Sequence, residues 1–245
     1  MGKADLHLHT SVSDGMYSVA RLLEHVEAKL DLDVIAVTDH EDATGGHRAR
    51  ELAAKRGYRV EVIAGAEVTT LQGHLLALGI ETAPKSFRGI EATLEAIHSQ
   101  GGLAVIPHPF SWLTRSLSER TVARLMHRNE TGITFDAIEL ANPSPAGRVT
   151  AARAMRHNRA WRLPATGSSD AHHLPHVGTG WTEFEGTTAA DLRRALTAGA
   201  TVAVASRYPA LREVGIGQTL LGLAWGYSAT PRKMLRRTSM EKPQA

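Results

Sequence analysis

KADLHLHTSVSDG, residues 3–15, alternates polar and apolar side chains, with Asp5, His7 and His9 in one set and Leu6 and Leu8 in the other. Successive side chains of a strand point to opposite faces, so His7 and His9 face the same way, an arrangement that suits a metal ion. A half-exposed edge strand with its polar side in water fits the same pattern, and a lone H-x-H arises easily by chance. The rest of the chain has to separate the two readings.

Outward from that stretch, short apolar runs alternate with helical spacing, the pattern of βα units around a parallel sheet or barrel. Strands are expected at Ala4–His9, Asp33–Thr38, Val60–Val68, His74–Leu78, Leu103–Pro107, Ala137–Ala141 and Leu163–Gly167, with extended pieces near Gly180–Phe184 and Thr201–Ala205. Helical spacing marks Val19, Leu22, Leu23, Val26 and Leu30; Ile90, Leu94 and Ile97; Val122, Leu125 and Met126; and Leu192, Ala195 and Leu196. The last helix is preceded by Thr188 with Asp191 three residues on, a capping-box start.

Acidic and histidine residues gather where these strands end. They are His7 and His9, Asp39 and His40 in VTDH, Glu67 in AGAEV, His108 in VIPHP, Glu139 in IEL, and Asp170 and His172 in SSDAH, while His74 opens GHLLAL. Sites of open α/β sheets and barrels are built at that rim. Of thirteen histidines, His25, His47, His98, His127 and His157 fall instead on helix patterns, where a solvated role is the default. Taken alone, His74 or His108 is more often a hydrogen-bonded barrel residue than a ligand. Together the rim residues would cost several kcal/mol for each unpaired buried charge, and coordinated ions remove that cost. The ligand count exceeds what one ion needs, which points to two or three divalent ions with a bridging carboxylate.

Composition limits the alternatives. The 245 residues are 42% hydrophobic and 22% charged, the balance of a globular protein. Absence of cysteine excludes disulfides, thiolate zinc sites and a cysteine nucleophile, leaving His, Asp and Glu as ligands. No basic leader with an apolar core opens the chain and no apolar run approaches spanning length, so a cytoplasmic location without membrane attachment is expected. The net charge of +3 is uneven. Residues 206–245 hold seven Lys/Arg against two Glu, and the remainder holds 21 against 23, so the basicity belongs to the tail. A barrel over residues 1–205 and a basic, partly disordered extension over 206–245 are expected.

HLHT followed by Asp14-Gly15, then TDH, AGAEV, GHLLAL, IPHP and SSDAHH, resemble in their order the motifs of the PHP (polymerase and histidinol phosphatase) family of metal-dependent phosphoesterases, over roughly residues 4–205. The resemblance implies an α/β fold, a distorted (β/α)7 barrel with a trinuclear metal site at the C-terminal rim of the strands. It implies that His7, His9 and Asp170 hold one ion, that Glu67 bridges to a second held by His74 and His108, and that Asp14, His40 and His172 hold the third. A site of this kind accepts zinc, manganese or iron. Asp39 is expected to orient a ligand imidazole or to serve the neighbouring helix, Glu139 resembles a structural acid of the family, and Asp5 is expected to be a deeper structural residue.

Clustered divalent ions lower the pKa of bound water toward roughly 7 and neutralise the non-bridging oxygens of a phosphate ester, so a metal-bound hydroxide is the expected nucleophile. Asp39 and His173 are the candidates for protonating the leaving group. Arg115 in FSWLTRS, Asn142 and Arg148 in NPSPAGR are candidate substrate-binding residues. Either arginine could grip a second phosphate bidentately, or could pair with a neighbouring carboxylate instead. Trp112 is expected to pack beneath its loop, with stacking on a base as the alternative. The motif order resembles stand-alone members related to nucleoside 3′,5′-bisphosphate phosphatases and 5′-to-3′ oligoribonucleases. Those members carry a sizeable insertion where only 28 residues separate Gly79 from His108 here. The expected substrate is a small phosphorylated compound, best a nucleoside bisphosphate or short 5′-phosphorylated oligonucleotide, with no obligate protein partner evident. Histidinol-phosphate phosphatase and a non-catalytic accessory module are the alternatives.

Overall fold

β1 (Gly2–Leu8) is buried along nearly its whole length because it has a neighbour on each side. β2 (Val34–Val37) pairs with it in parallel, Ala4 opposite Val34, and β8 (Gly180–Phe184) pairs antiparallel, Gly2 opposite Phe184. The computed structural model that shows this describes residues 1–127, 133–215 and 217. Beyond β2 follow β3 (Glu61–Thr69), β4 (His74–Leu78), β5 (Leu103–Ile106), β6 (Ala137–Ala141) and β7 (Ala165–Gly167), and beyond β8 lies β9 (Val202–Ala205). From β1 to β7 all neighbours are parallel except β4, which is antiparallel to both β3 and β5.

The sheet curls until its ends nearly meet. Ala171, just past β7, bridges to Leu8, and His9 N donates to Ala171 O at 3.1 Å. The Thr182 hydroxyl of β8 donates to Gly167 O at 2.9 Å. A Cβ on Gly167 would stand 2.2 Å from Trp181 O, so only glycine lets the backbones touch at this seam. The result is the expected α/β architecture, a nearly closed, distorted barrel.

α1 (Val19–Lys29), α3 (Ile90–His98), α4 (Glu119–His127) and α7 (Ala189–Ala198) bury the apolar faces that their spacing marks. The Thr188 hydroxyl accepts from Asp191 N while the Asp191 carboxylate accepts from Thr188 N, the reciprocal start expected for α7. α2 (Thr44–Arg56) and α6 (Ala151–Trp161) bury small or polar faces instead: Gly45, Gly46, Ala49 and Ala53 on one, Ala154 and Asn158 on the other. α5 (Pro145–Arg148) and α8 (Leu211–Val214) are single turns.

Regular alternation along β1 breaks. Its register against β2 shifts between Asp5 and Leu8, and the two leucines part company. Leu6 packs with Ala4, Val34, Ala36 and Phe184 above Leu192 and Leu196 of α7, whereas Leu8 packs with Leu22, Leu23 and Val26 of α1. Just past β9 the pairing with β8 continues for one residue, Ser206 N donating to Thr179 O at 2.8 Å. Residues 218–245 of the expected basic extension lie outside the described residues. No helix of the described residues is long and apolar enough to cross a membrane.

Candidate metal centre

One rim of the barrel gathers the C-terminal ends of the parallel strands and, because β4 is reversed, the N-terminal end of that strand. His74, opposite Thr69 in the β3–β4 pair, therefore lies at the rim diagonal to Glu67, with its Nδ1 2.8 Å from Glu67 Oε1. The nine residues assigned as ligands from the resemblance all converge there.

Glu67 sits at the centre, ringed by five imidazoles. Its Oε2 lies 3.3 Å from His7 Nε2, 3.3 Å from His9 Nε2 and 3.5 Å from His40 Nδ1. Its Oε1 lies 2.8 Å from His74 Nδ1 and 3.0 Å from His108 Nε2. Asp170 Oδ1 stands 3.4 Å from His7 Nε2 and 3.5 Å from His9 Nε2. Asp14 holds the other side, with Oδ1 3.6 Å from His9 Nδ1 and Oδ2 3.3 Å from His172 Nε2 and 3.5 Å from His40 Nε2.

These atoms form four overlapping groups, each compact enough for one ion: His9, Asp14, His40 and His172; His7, His108 and Asp170; His7, His9 and Glu67; and His40, Glu67 and His74. The overlap differs from the expected clean partition, since His9 borders Asp14 as well as Asp170. The residues fit divalent cations on a physical ground. His9 Nδ1 and Nε2, His40 Nδ1 and His74 Nδ1 are buried without a hydrogen-bond partner, although carboxylate oxygens stand close by. Orphaned buried nitrogens are costly, and a cation between nitrogen and carboxylate satisfies both.

Electrostatics tell the same story. Burial pushes Glu67 and Asp14 up, but the surrounding imidazoles outweigh it and hold both carboxyls well below their usual range. Burial pushes His9 down, yet Asp170 and Glu67 outweigh it and lift the imidazole to about 10. The backbone is bent to serve the site: His108 and Asp170 have φ of 28° and 53°, a region disfavoured for residues with a Cβ.

A further layer orients the rings. Glu139 faces His7 Nδ1 at 3.2 Å and accepts from His108 N at 2.6 Å and from the Ser168 hydroxyl. That leaves His7 Nε2 for the cluster, the arrangement usual for metal-bound imidazoles. Ser116 Oγ lies 2.7 Å from His108 Nδ1 and turns its Nε2 toward Glu67. Nothing in the sequence singles out Ser116, since the contact is made across a loop.

Several expectations are revised. Asn142 does not face outward: it is buried, donating to Glu139 at 2.7 Å and accepting from Ser144 N at 2.9 Å, so its amide is spent inside the fold. Asp39 orients no ring. Its carboxylate accepts from Thr10 N, Thr10 Oγ1, Ser13 N and Ser13 Oγ at 2.8, 2.7, 3.1 and 2.6 Å, pinning the loop that presents Asp14. Asp5 is the deep structural acid expected, accepting from Ser169 N, Ser169 Oγ and Gly178 N. Trp112 is not packed under its loop but 75% exposed. His173 is buried beside the cluster, edge-on to His176. Arg115 and Arg148 are both exposed, and neither guanidinium pairs with a carboxylate among the described residues. Arg115 lies over the Phe87 ring at 5.9 Å.

The chain matches a family model described as the PHP domain over residues 5–161 and a second, PHP-associated, over residues 151–201. It is 36% identical over 129 residues to an uncharacterised protein of Methanocaldococcus jannaschii, covering 48% of this chain and 74% of that one. It is 34% identical over 101 residues to a 3′,5′-nucleoside bisphosphate phosphatase of Chromobacterium violaceum, covering 39% of this chain and 34% of that enzyme. The chain thus spans only about a third of the named enzyme's length. Among solved structures, a two-domain Bacteroides vulgatus protein containing a predicted PHP-like metal-dependent phosphoesterase superimposes with a TM-score of 0.66 at 22% identity, over 83% of this chain and 64% of that one.

Proposed function

The chain belongs to the PHP-domain family, and from that premise we propose that it hydrolyses a small phosphate ester carrying a second anionic group, best a nucleoside bisphosphate or a short 5′-phosphorylated oligonucleotide. The observation that supports a phosphoesterase is the convergence of nine ligand-type side chains at one rim, Glu67 at their centre, with buried nitrogens left unpaired. In this reading two or three ions of zinc, manganese or iron are held by His7, His9 and Asp170; by Glu67 with His74 and His108; and by Asp14, His40 and His172. When bound, such ions supply an activated water and neutralise phosphoryl oxygens.

The side chains do the rest. Glu139 and Ser116 fix the His7 and His108 rings, and Asp39 holds the loop that carries Asp14. With Asp39 committed to that loop, His173 remains the candidate for a proton donor to the leaving oxygen. Arg148 and Arg115, exposed and without carboxylate partners among the described residues, are the groups proposed to grip the second phosphate. The similarity to a bisphosphate phosphatase supports that choice.

The test is metal analysis of the purified protein coupled to a phosphate-release screen. A nucleoside bisphosphate should show a higher kcat/KM than the matching monophosphate. A lost charge-assisted contact is worth roughly 1.5–3 kcal/mol, so Arg148→Ala should cut that preference by about ten- to a hundredfold and leave monophosphates little changed. Ionic strength must be fixed, because screening mimics the effect. Equal specificity constants in the wild type would refute the two-anion reading, and selective turnover of histidinol phosphate would replace it.

A further inference from the structure

The segment after β9 reaches the rim. Ser206 donates to Thr179 O from both its backbone N and its hydroxyl, at 2.8 and 3.0 Å, carrying the β8–β9 pairing one residue further, and Tyr208, two residues on, lies against the loop that follows His172. The Tyr208 ring stacks on His176 with centroids 4.1 Å apart and planes 23° from parallel, and its hydroxyl lies 2.9 Å from His176 Nδ1. Neither residue belongs to the ligand set, and the sequence pattern assigns Tyr208 to a peripheral tail.

His176 is 7% exposed, and its Nε2 is buried without any partner. That orphan decides where the proton sits. Were Nε2 protonated, a buried N–H would go unsatisfied; with the proton on Nδ1, only a lone pair does, which is far less costly. Burial and the neighbouring His173 and His172 push the ring to about 4, so it is neutral and carries one proton. Nδ1–H therefore donates to the Tyr208 oxygen. The phenol's own hydrogen is then free to point elsewhere, and burial keeps it in place by pushing the hydroxyl well above the usual phenol range.

The surroundings name the acceptor. Tyr208 lies within electrostatic reach of both the Asp170 carboxylate and the Arg148 guanidinium. Asp170 is turned toward His7 and His9, and Arg148 has no carboxylate partner among the described residues. We propose that Tyr208 is a substrate-contacting residue whose hydroxyl, set by His176, donates a hydrogen bond to an anionic oxygen of the phosphate ester held beside Arg148. This deepens the phosphoesterase reading and rests on it for the ligand class.

Tyr208→Phe keeps the ring stack and removes only the hydroxyl. Calorimetric titration of the metal-loaded protein with inorganic phosphate should show binding weakened about tenfold, and KM for a phosphate ester should rise by a similar factor. Metal stoichiometry and melting temperature should be unchanged. Unaltered phosphate affinity would overturn the proposal while leaving a hydrolysing wild type intact, and so would loss of metal or of stability, which marks a purely structural role. A wild type that binds phosphate through Tyr208 yet hydrolyses no ester would instead sink the phosphoesterase reading alone. A second measurement avoids mutation altogether. Nitrogen-15 spectra of the imidazoles should show His176 protonated on Nδ1, and a proton on Nε2 would refute the argument.

Discussion

Glu139 carries more of the rim than its distance from the cluster suggests. Besides facing His7, it ties down the His108 backbone, the Asn142 amide and the Ser168 hydroxyl, so one buried carboxylate fixes β1, β5, β6 and the segment after β7 against one another. Glu139→Gln keeps the shape but turns an acceptor toward His7 into an ambiguous amide. Partners of this kind typically govern metal affinity by ten- to a hundredfold, so the variant should bind the tightest ion about tenfold or more weakly while still folding. Competition against a chromogenic chelator measures this, and unchanged affinity would reduce Glu139 to a packing role. Asp39 teaches a related lesson. The VTDH motif places it next to His40, but its partners Thr10 and Ser13 lie 29 and 26 positions away, where neither spacing nor residue type announces the contact.

At the scale of the element, legibility followed the size of the buried side chains. α1, α3, α4 and α7 present Leu, Ile and Val at helical spacing, and the structure buries those residues. α2 is different, because its inward face is Gly45, Gly46, Ala49 and Ala53, which a hydropathy pattern barely registers. The small face permits close approach. A Cβ on Gly46 would stand 2.6 Å from Ala64 Cα of β3, with backbone on the receiving side that cannot swing away. Gly46→Ala is therefore expected to destabilise the fold by about 1–3 kcal/mol despite the higher helix propensity of alanine. A denaturant midpoint that stayed or rose would show that α2 can slide outward freely. The direction of β4 was legible in principle: only four residues, 70–73, join β3 to β4, and a connection that short joins antiparallel strands.

For the molecule as a whole, the rim stores charge that ions would release. In the metal-free protein the carboxylates hold His9 at about 10 and lift His7 against the effect of burial. Imidazoles raised in this way contribute stability that is complete below about pH 6.5 and is lost as pH rises toward 10. The depressed carboxyls of Asp14 and Glu67 contribute stability present above about pH 4.5 and lost in stronger acid. His40, pushed down by burial, works the other way. Metal-free protein should therefore have its highest melting temperature between about pH 4.5 and 6.5. Adding zinc or manganese should raise the temperature and move the optimum upward, because ions take deprotonated imidazoles. Scanning calorimetry across pH with and without chelator decides it, and a metal-free optimum near pH 9 would contradict the pairing.

The seam between β1 and the segment after β7 has a temporal side. Ala171 bridges to Leu8, so the opening strand of the barrel completes its pairing only with residues more than 160 positions later. A ribosome delivers those partners long after β1. His7 and His9 are therefore made before the piece that carries Asp170 and His172. Until that segment is made the ring stays open, and its pairing with β1 closes the ring and brings Asp170 and His172 to the imidazoles as one event.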